Sequence, residues 1–268
     1  MSLQKILPSV LTLFLLTLIS SGLSAAPIED YGEAVNQAGR QRMLSQRMVK
    51  SYAQIGLEIW YARPRNQLNS ALKLYQKQLD NLKRFAKSAS SQSALSKAET
   101  VWKKYQVLAG TDINPDNAVD FNHMSEQLLQ ASQKVVEALV KEAKSEKAHI
   151  VDVSGRQRML SQRMAKFYLL LSWGLDQTDY HDEFNKAEQE FSQALLELKA
   201  SSLNTTEISN ALEKVEKRWR FFQLTKIMDK DKYLPSIVAR TTESLLQDMN
   251  KITGMYAKRT AGTPVQNQ

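Results

Sequence analysis

The decapeptide GRQRMLSQRM occurs twice in the chain, at residues 39–48 and again at residues 155–164. Each copy carries three arginines, and the planar guanidinium group offers a fork of N–H donors that matches a small oxyanion. Each copy also opens with a glycine, although glycine inside a helix costs about 1 kcal/mol relative to alanine. The repetition therefore predicts one helix surface, or one binding site, that the chain builds twice.

Other residue types that carry chemistry are missing or scattered. The sequence has no Cys, which excludes disulfides, thiolate metal sites and Cys nucleophiles. Its three histidines, His123, His149 and His181, lack the paired spacing of metal ligands. No nucleophile motif and no phosphate-binding glycine loop occurs. We therefore expect no enzymatic activity, no catalytic residues, no metal and no cofactor.

On a helix that turns by about 100° per residue, the first decapeptide has two distinct faces. Leu44, Met48 and Tyr52 share an apolar stripe that we predict to be the core of their own helical bundle. The opposite face carries Gly39, Arg42, Met43 and Gln46 in the first copy, and Gly155, Arg158, Met159 and Gln162 in the second. Two such faces packed together would present two guanidinium forks to one small anion.

Two other interpretations of this face stay open. Basic residues on a helix are usually solvated, and Arg40 and Arg47, at the border of the core stripe, suit ordinary ion pairs. A face that contains glycine is also suited to close docking of another helix. The rest of the repeat has diverged strongly, so recent duplication does not explain an identical stretch of ten residues.

Weaker similarity extends the repeat over most of the chain. ETVWKKY at 99–105 aligns with EKRWRFF at 216–222, and SEQLLQ at 125–130 aligns with TESLLQ at 242–247. We predict an all-α protein of two tandem antiparallel four-helix bundles, with module 1 at 29–148, module 2 at 149–259 and a flexible tail at 260–268. The predicted helices are 29–61, 65–89, 92–109, 117–148, 149–175, 180–200, 206–225 and 234–259.

The junction between the modules has two possible structures. Residues 140–154 lack Gly and Pro and are rich in helix formers, which favours one continuous helix and an end-to-end rod. A rod would separate the two decapeptides, and a homodimer would then be needed to bring motif helices together. A turn near Ser145 would instead place the bundles side by side.

The first 25 residues are typical of a secretory signal peptide. Lys5 precedes an apolar run, and small residues end near Ala25, although an uncleaved anchor is the alternative. We therefore expect a soluble periplasmic chain. The net charge of +8 would suggest nucleic acid or anionic lipid as the partner of a cytosolic protein. In an exported protein it indicates either a solvated basic surface or attraction of a small anion.

The stretch NQAGRQRMLSQRMVK at 36–50 resembles the PilJ-type domain, the N-terminal sensory region of type IV pili methyl-accepting chemotaxis transducers. It is also similar to the P-box of nitrate and nitrite sensor kinases. The resemblance implies a periplasmic four-helix module that binds nitrate between two motif helices. It implies ligand contacts at Gly39, Arg42, Gly155 and Arg158, a structural role for Arg47 and Arg163, and supporting roles for Asn36, Met43, Gln46, Met159 and Gln162.

The second copy departs from this pattern at two positions. Asp152 stands where the first copy has Asn36, and Ser154 stands where it has Ala38. A carboxylate there would repel an anion or neutralise a nearby arginine, which puts the second site in doubt.

Taken together, these features predict an exported sensory module that binds nitrate, nitrite or a similar small oxyanion. Because we find no kinase or methyl-accepting region in the sequence, we expect the signal to pass to a partner protein such as a membrane receptor. The alternative is a periplasmic helical adaptor with no small ligand.

Overall fold

The computed structural model describes residues 28–260, apart from residues 61, 176 and 229–231. The described residues form helices and no strands, as the all-α prediction requires. The helices are α1 (Tyr31–Gly56), α2 (Ala62–Phe85), α3 (Ala89–Ala109), α4 (Pro115–Ala143), α5 (Glu146–Ser172), α6 (Tyr180–Ala200), α7 (Thr206–Thr225) and α8 (Pro235–Thr260). None of these helices is both long and apolar enough to cross a membrane. The predicted signal peptide, residues 1–25, lies outside the described residues, as does the tail beyond residue 260.

Side chains at the helix N-termini fix where several helices begin. The carboxylate of Asp30 accepts a hydrogen bond from the backbone N–H of Glu33 at the start of α1. Asn114 does the same for Asn117 in α4, and Pro115 occupies the first turn of that helix, where its missing N–H has no helical partner to lose. Both caps satisfy N–H groups that the helix itself leaves unpaired.

The first connection differs from the prediction. Helix α1 ends at Gly56 rather than near residue 61, because Glu58 and Trp60 adopt left-handed backbone conformations with φ of 57° and 51°. Helix α2 then begins at Ala62, and Pro64 lies in its first turn instead of in a loop. Predicted boundaries agree with the structure for α6 and α7, whose flanking turn residues mark both ends.

The duplication is visible in the packing of the two cores. In the first bundle the rings of Tyr75 and Trp102 stack with centroids 4.2 Å apart, and in the second Phe191 and Trp219 occupy the equivalent places at 4.4 Å. All four side chains are buried. In each module the first helix packs on the second and fourth, and the third packs on the fourth, which is the up-and-down bundle that the short connections predict.

Helices α1 and α5 make the most extensive contact between the modules. They run parallel and almost in register, because Gly39 lies near Arg158 at one end of the contact and Gly56 lies near Trp173 at the other. Helix α8 also contacts α1, and α4 also contacts α5. The two bundles therefore lie side by side, related by an approximate two-fold axis along α1 and α5.

The preference for a continuous helix at the junction was wrong. Helix α4 ends at Ala143, Lys144 takes a left-handed conformation with φ of 46°, and Ser145 has extended backbone before α5 begins. A left-handed residue is a common way for a helix to end. Helix propensity is a weak local preference, and here the packing of α1 against α5 overrides it. The reversal brings both decapeptides together within one chain, without a homodimer.

Two ion clusters hold the modules together on opposite sides of this contact. Lys50 and Arg47 of α1 bind Glu243 of α8, with N–O distances of 2.9 and 2.8 Å. The equivalent cluster has Lys166 and Arg163 of α5 bound to Glu126 of α4, at 2.5 and 2.7 Å. In each cluster the lysine and arginine come from one module and the carboxylate that both of them bind comes from the other, and Arg163 also binds Glu183 of its own module.

Burial and charge oppose each other in these clusters. Burial alone would raise the pKa of Glu126 and Glu243, but the neighbouring lysine and arginine charges and their hydrogen bonds outweigh it and lower each pKa to about 2. Burial lowers the pKa of Lys50 and Lys166 to about 8, against the attraction of the carboxylates. Both clusters therefore carry their full charges near neutral pH.

We predict that Gly56→Ala destabilises the contact between the modules. A Cβ at this position would lie 2.0 Å from Cζ2 of Trp173, so the indole ring has to move. Forcing extra volume into a packed site costs about 1–3 kcal/mol, which urea unfolding measures. The matched control is Gly254→Ala in α8, where nothing lies within 4 Å of the added carbon. That variant should gain about 0.5–1 kcal/mol, and equal effects of both substitutions would contradict the proposed packing.

We predict that the free energy of unfolding falls in acid, because Glu126 and Glu243 become protonated. Their folded pKa of about 2 lies below the usual 4.5, so their stabilisation is complete above pH 4.5 and is lost as the pH falls towards 2. Glu126→Gln should lower the free energy of unfolding at pH 7 by about 3–5 kcal/mol, because it leaves buried Lys166 without its counter-charge. It should also flatten the dependence on pH between 5 and 3. Exposed Glu207→Gln is the control, and urea unfolding at a series of pH values measures both effects.

Candidate functional site between α1 and α5

The arginines of both decapeptides meet over the glycines that open them. A Cβ at Gly39 would lie 3.3 Å from Nη2 of Arg42 and 3.3 Å from Nη2 of Arg158. A Cβ at Gly155 would lie 3.1 Å from Nη2 of Arg158 and 3.6 Å from that of Arg42. The two guanidinium groups are thus close neighbours, and the missing glycine side chains leave the room that they occupy.

Neither arginine is solvated. Arg42 and Arg158 are both 0% exposed, which contradicts the interpretation of this face as an ordinary basic surface. It also leaves no room for a separate partner helix, because α5 of the same chain covers the face of α1. Two like charges share a buried site, and such an arrangement is costly unless the charges are paired.

Arg42 has one charged partner. Its Nη2 donates to Oδ1 of Asp152 at 2.6 Å and, more weakly, to the Asp152 carbonyl oxygen at 3.4 Å. Its Nη1 donates to Oε1 of Gln133 at 2.6 Å. Asp152, which stands in the second copy where the first has Asn36, therefore neutralises Arg42 of the first copy.

Among the residues that the structure describes, the hydrogen-bond partners of the Arg158 guanidinium are neutral. Its Nη1 donates to Oδ1 of Asn36 at 2.9 Å and to Oδ1 of Asn250 at 3.4 Å, and its Nη2 donates to the Asn36 carbonyl oxygen at 3.2 Å. Burial, and then the positive charges of Arg40 and Arg42, lower the pKa of Arg158 well below its usual value, against the weaker attraction of the Glu33 carboxylate. The guanidinium is held in place by amides that do not balance its charge.

These contacts are reciprocal between the copies. Asn36 and Asp152 are equivalent positions, and each binds the arginine of the opposite module. Within the part of the chain that the structure describes, Asp152 is the one carboxylate hydrogen-bonded to either guanidinium, so the pair keeps one positive charge without a bonded counter-charge there. The Nε atoms of both arginines are buried and have no hydrogen-bond partner among the described residues. The arrangement can therefore take up one small anion with several acceptor atoms.

The other predicted residues lie further along the same contact. Gln46, one turn after Arg42, accepts a hydrogen bond from Nη1 of Arg163 at 3.3 Å. Gln162 accepts one from Nζ of Lys50 at 3.1 Å. Four predicted residues remain. Met43 and Met159 are buried, and Arg47 and Arg163 belong to the two ion clusters. None of them reaches the arginine pair.

Sequence reasoning missed two partners of the arginine pair. Gln133 in α4 and Asn250 in α8 are equivalent positions, and the amide oxygen of each accepts a hydrogen bond from one arginine. A signal for them exists in the sequence. If the alignment of SEQLLQ with TESLLQ is extended by three residues, the amides Gln133 and Asn250 are paired. The lysines and glutamates of the ion clusters were also identical in both copies and were overlooked.

The described residues offer no cluster of three or more His, Asp or Glu side chains that would hold a metal ion. The site is therefore built from arginine, amide and glycine, with one carboxylate.

Comparison with known proteins identifies the family to which the two modules are similar. Residues 27–116 and 139–226 each match the family model described as the type IV pili methyl-accepting chemotaxis transducer N-terminal domain, PilJ. No curated protein and no solved structure is significantly similar to the chain. The two matches begin just before the two motif helices and together span most of the sequence, which confirms the resemblance of both copies. The chain therefore belongs to the PilJ family and carries two tandem copies of its sensory domain.

Proposed function

We propose that this chain is a periplasmic sensory module that binds nitrate, nitrite or a similar small oxyanion between α1 and α5. The observation that carries the proposal is the arginine pair: two fully buried guanidinium groups, Arg42 and Arg158, that meet over two glycines, with a carboxylate bonded to Arg42 and amide oxygens bonded to Arg158. Membership of a family of chemotaxis sensory domains supports a sensory role. The export signal predicted from the sequence supports the periplasmic location.

A monoanion matches the charge of this site. Asp152 balances one of the two guanidinium groups, and a singly charged ligand would balance the other. A planar oxyanion has several acceptor atoms in one plane, which suits two forks of N–H donors. Because the present donors are bonded to Asp152, Asn36 and Gln133, an incoming anion has to compete with them.

Anion binding at this position would act on the contact between the modules. Arg42 belongs to module 1 and Asp152 to module 2, so replacement of their 2.6 Å ion pair by a ligand changes a bond between modules. We propose that a protein partner, such as a membrane receptor, detects this change. The family supports that step, since its members are named for transducers.

A helical adaptor without a small ligand is the second candidate. The ion pair between Arg42 and Asp152 favours it, because an internal carboxylate already occupies one fork of donors. In this case the arginine pair would be a purely structural element of the module contact, and anions would have no effect on it.

The first test is thermal stabilisation of the exported chain by nitrate, with nitrite, chloride and acetate as comparison anions. Nitrate at about 100 times its dissociation constant should add about 2.7 kcal/mol to the free energy of unfolding. Arg42→Lys and Arg158→Lys keep the charge but remove the planar fork, and each should abolish the effect. Arg156→Lys is the matched control, since Arg156 lies in the same decapeptide but is exposed and bonded to Glu190. A folded chain whose melting temperature ignores all of the anions would favour the adaptor.

The second test is Asp152→Asn, which gives the second copy the residue found at Asn36. Removal of the internal carboxylate leaves both guanidinium groups without a bonded anion. We expect lower stability in the absence of anions, by about 3–5 kcal/mol, and tighter binding of nitrate in calorimetry. Unchanged or weaker nitrate binding by a folded Asp152→Asn chain would contradict the competition between ligand and carboxylate.

A further inference from the structure

A cavity of about 570 Å³ opens between α1, the connection to α2, and α8, away from the arginine pair. Its first lining residue on α1, Lys50, follows Arg42 by eight positions, which is about 12 Å along the helix. The residues that matter most for its chemistry are Lys50, Gln54, Trp60, Arg63, Arg240 and Glu243.

The buried side of the cavity carries polar groups that the protein does not fully use. Lys50 is almost completely buried, and its Nζ donates to Glu243 at 2.9 Å and to Gln162 at 3.1 Å, which leaves one of its three N–H donors. Gln54 is 2% exposed, and its Oε1 has no hydrogen-bond partner among the described residues. A buried polar atom without a partner costs about 1–3 kcal/mol, so a ligand donor that reached Oε1 through a side-chain rotation of this lining residue would be favourable.

The open side of the cavity is positively charged. The guanidinium carbons of Arg63 and Arg240 lie 5.9 and 5.5 Å from the ring centre of half-buried Trp60. Trp60 itself has a φ of 51°, a conformation that is rare for a bulky side chain and is often found where function requires it. The lining has three cations, Lys50, Arg63 and Arg240, and one carboxylate, so two positive charges remain for a ligand.

The second module carries larger side chains at positions equivalent to the cavity lining or next to it in sequence. Ser51, Pro64 and Ala239 of the first side correspond to Phe167, Tyr180 and Asn122 of the second. The rings of Phe167 and Tyr180 lie 5.3 Å apart, and the Tyr180 hydroxyl accepts a hydrogen bond from Asn122 at 3.1 Å.

Two polar or basic lining residues of the first side are also replaced in the second module. Gln54 corresponds to Leu170, and Arg240 corresponds to His123. The first side therefore combines smaller residues in and beside the lining with polar and basic lining residues, which suit it to an anion.

We propose that this cavity binds a small hydroxylated dicarboxylate such as malate. The two carboxylates accept hydrogen bonds from Arg63 and Arg240 at the opening and from the remaining N–H of Lys50. The hydroxyl between them donates to Oε1 of Gln54. This inference does not depend on nitrate binding at the arginine pair, because the two sites share no residue.

The test is isothermal titration of the exported chain with malate, and with succinate, which lacks the hydroxyl, acetate and nitrate as comparison ligands. Malate should bind, and succinate should bind about tenfold more weakly because it leaves Gln54 unpaired. Gln54→Leu and Arg240→His introduce the residues of the second module, and each should weaken malate binding about tenfold. Lys104→Ala, which removes an exposed charge on α3, should leave it unchanged.

Fluorescence gives a readout from the cavity itself. Malate should change the tryptophan emission, and Trp60→Phe should remove that change while the three other tryptophans remain. Absence of malate binding to the folded chain, equal affinity for malate and succinate, or full binding by Arg240→His would overturn the proposal. Nitrate stabilisation should persist in Arg240→His and malate binding should persist in Arg42→Lys, so failure of one site is distinguishable from failure of the other.

Discussion

The structure depends on the packing of two like charges, Arg42 and Arg158, between two parallel helices. Their guanidinium groups fit because Gly39 and Gly155 contribute no side chains, and they are tolerated because Asp152 and a set of amides surround them. A residue with a Cβ at either glycine would meet an arginine nitrogen at about the closest distance that real side chains show. The identity of the decapeptide in both copies thus reflects a constraint that each copy imposes on the other.

Duplication has produced a contact between the modules with a symmetric part and an asymmetric part. The two ion clusters are the symmetric part, and the arginine pair is the asymmetric part. The ion clusters around Glu126 and Glu243 repeat closely, and each ties a helix of one module to a helix of the other. In contrast, Asn36 faces Arg158 whereas Asp152 faces Arg42, so among the described residues one guanidinium has a bonded carboxylate and the other has amide partners. This asymmetry is the reason that we propose a single monoanion site across the axis, rather than two independent sites.

The sequence was sufficient to predict the helices, the duplication and the face that the motif presents, because helical periodicity and repeated letters record them directly. It was insufficient for the junction, since Lys144 ends α4 without any glycine or proline nearby. It was also insufficient for the first connection, where Glu58 and Trp60 leave the helical conformation. Those positions are decided by contacts between distant segments. The amides Gln133 and Asn250 belong to the same class, because each lies about ninety residues from the arginine it binds.

The position of the arginine pair has a consequence for signalling. Gln46 and Lys50 on α1 contact Arg163 and Gln162 on α5, so hydrogen bonds continue along the two helices beyond the arginines. A rigid helix transmits displacement along its axis. At the ion clusters α1 also binds Glu243 of α8, and α5 also binds Glu126 of α4. In the proposed function, an anion that replaces Asp152 on Arg42 would change the separation of the two helices at one end. The buried ion clusters would resist that change further along, so local ligand exchange would become a shift of one module against the other.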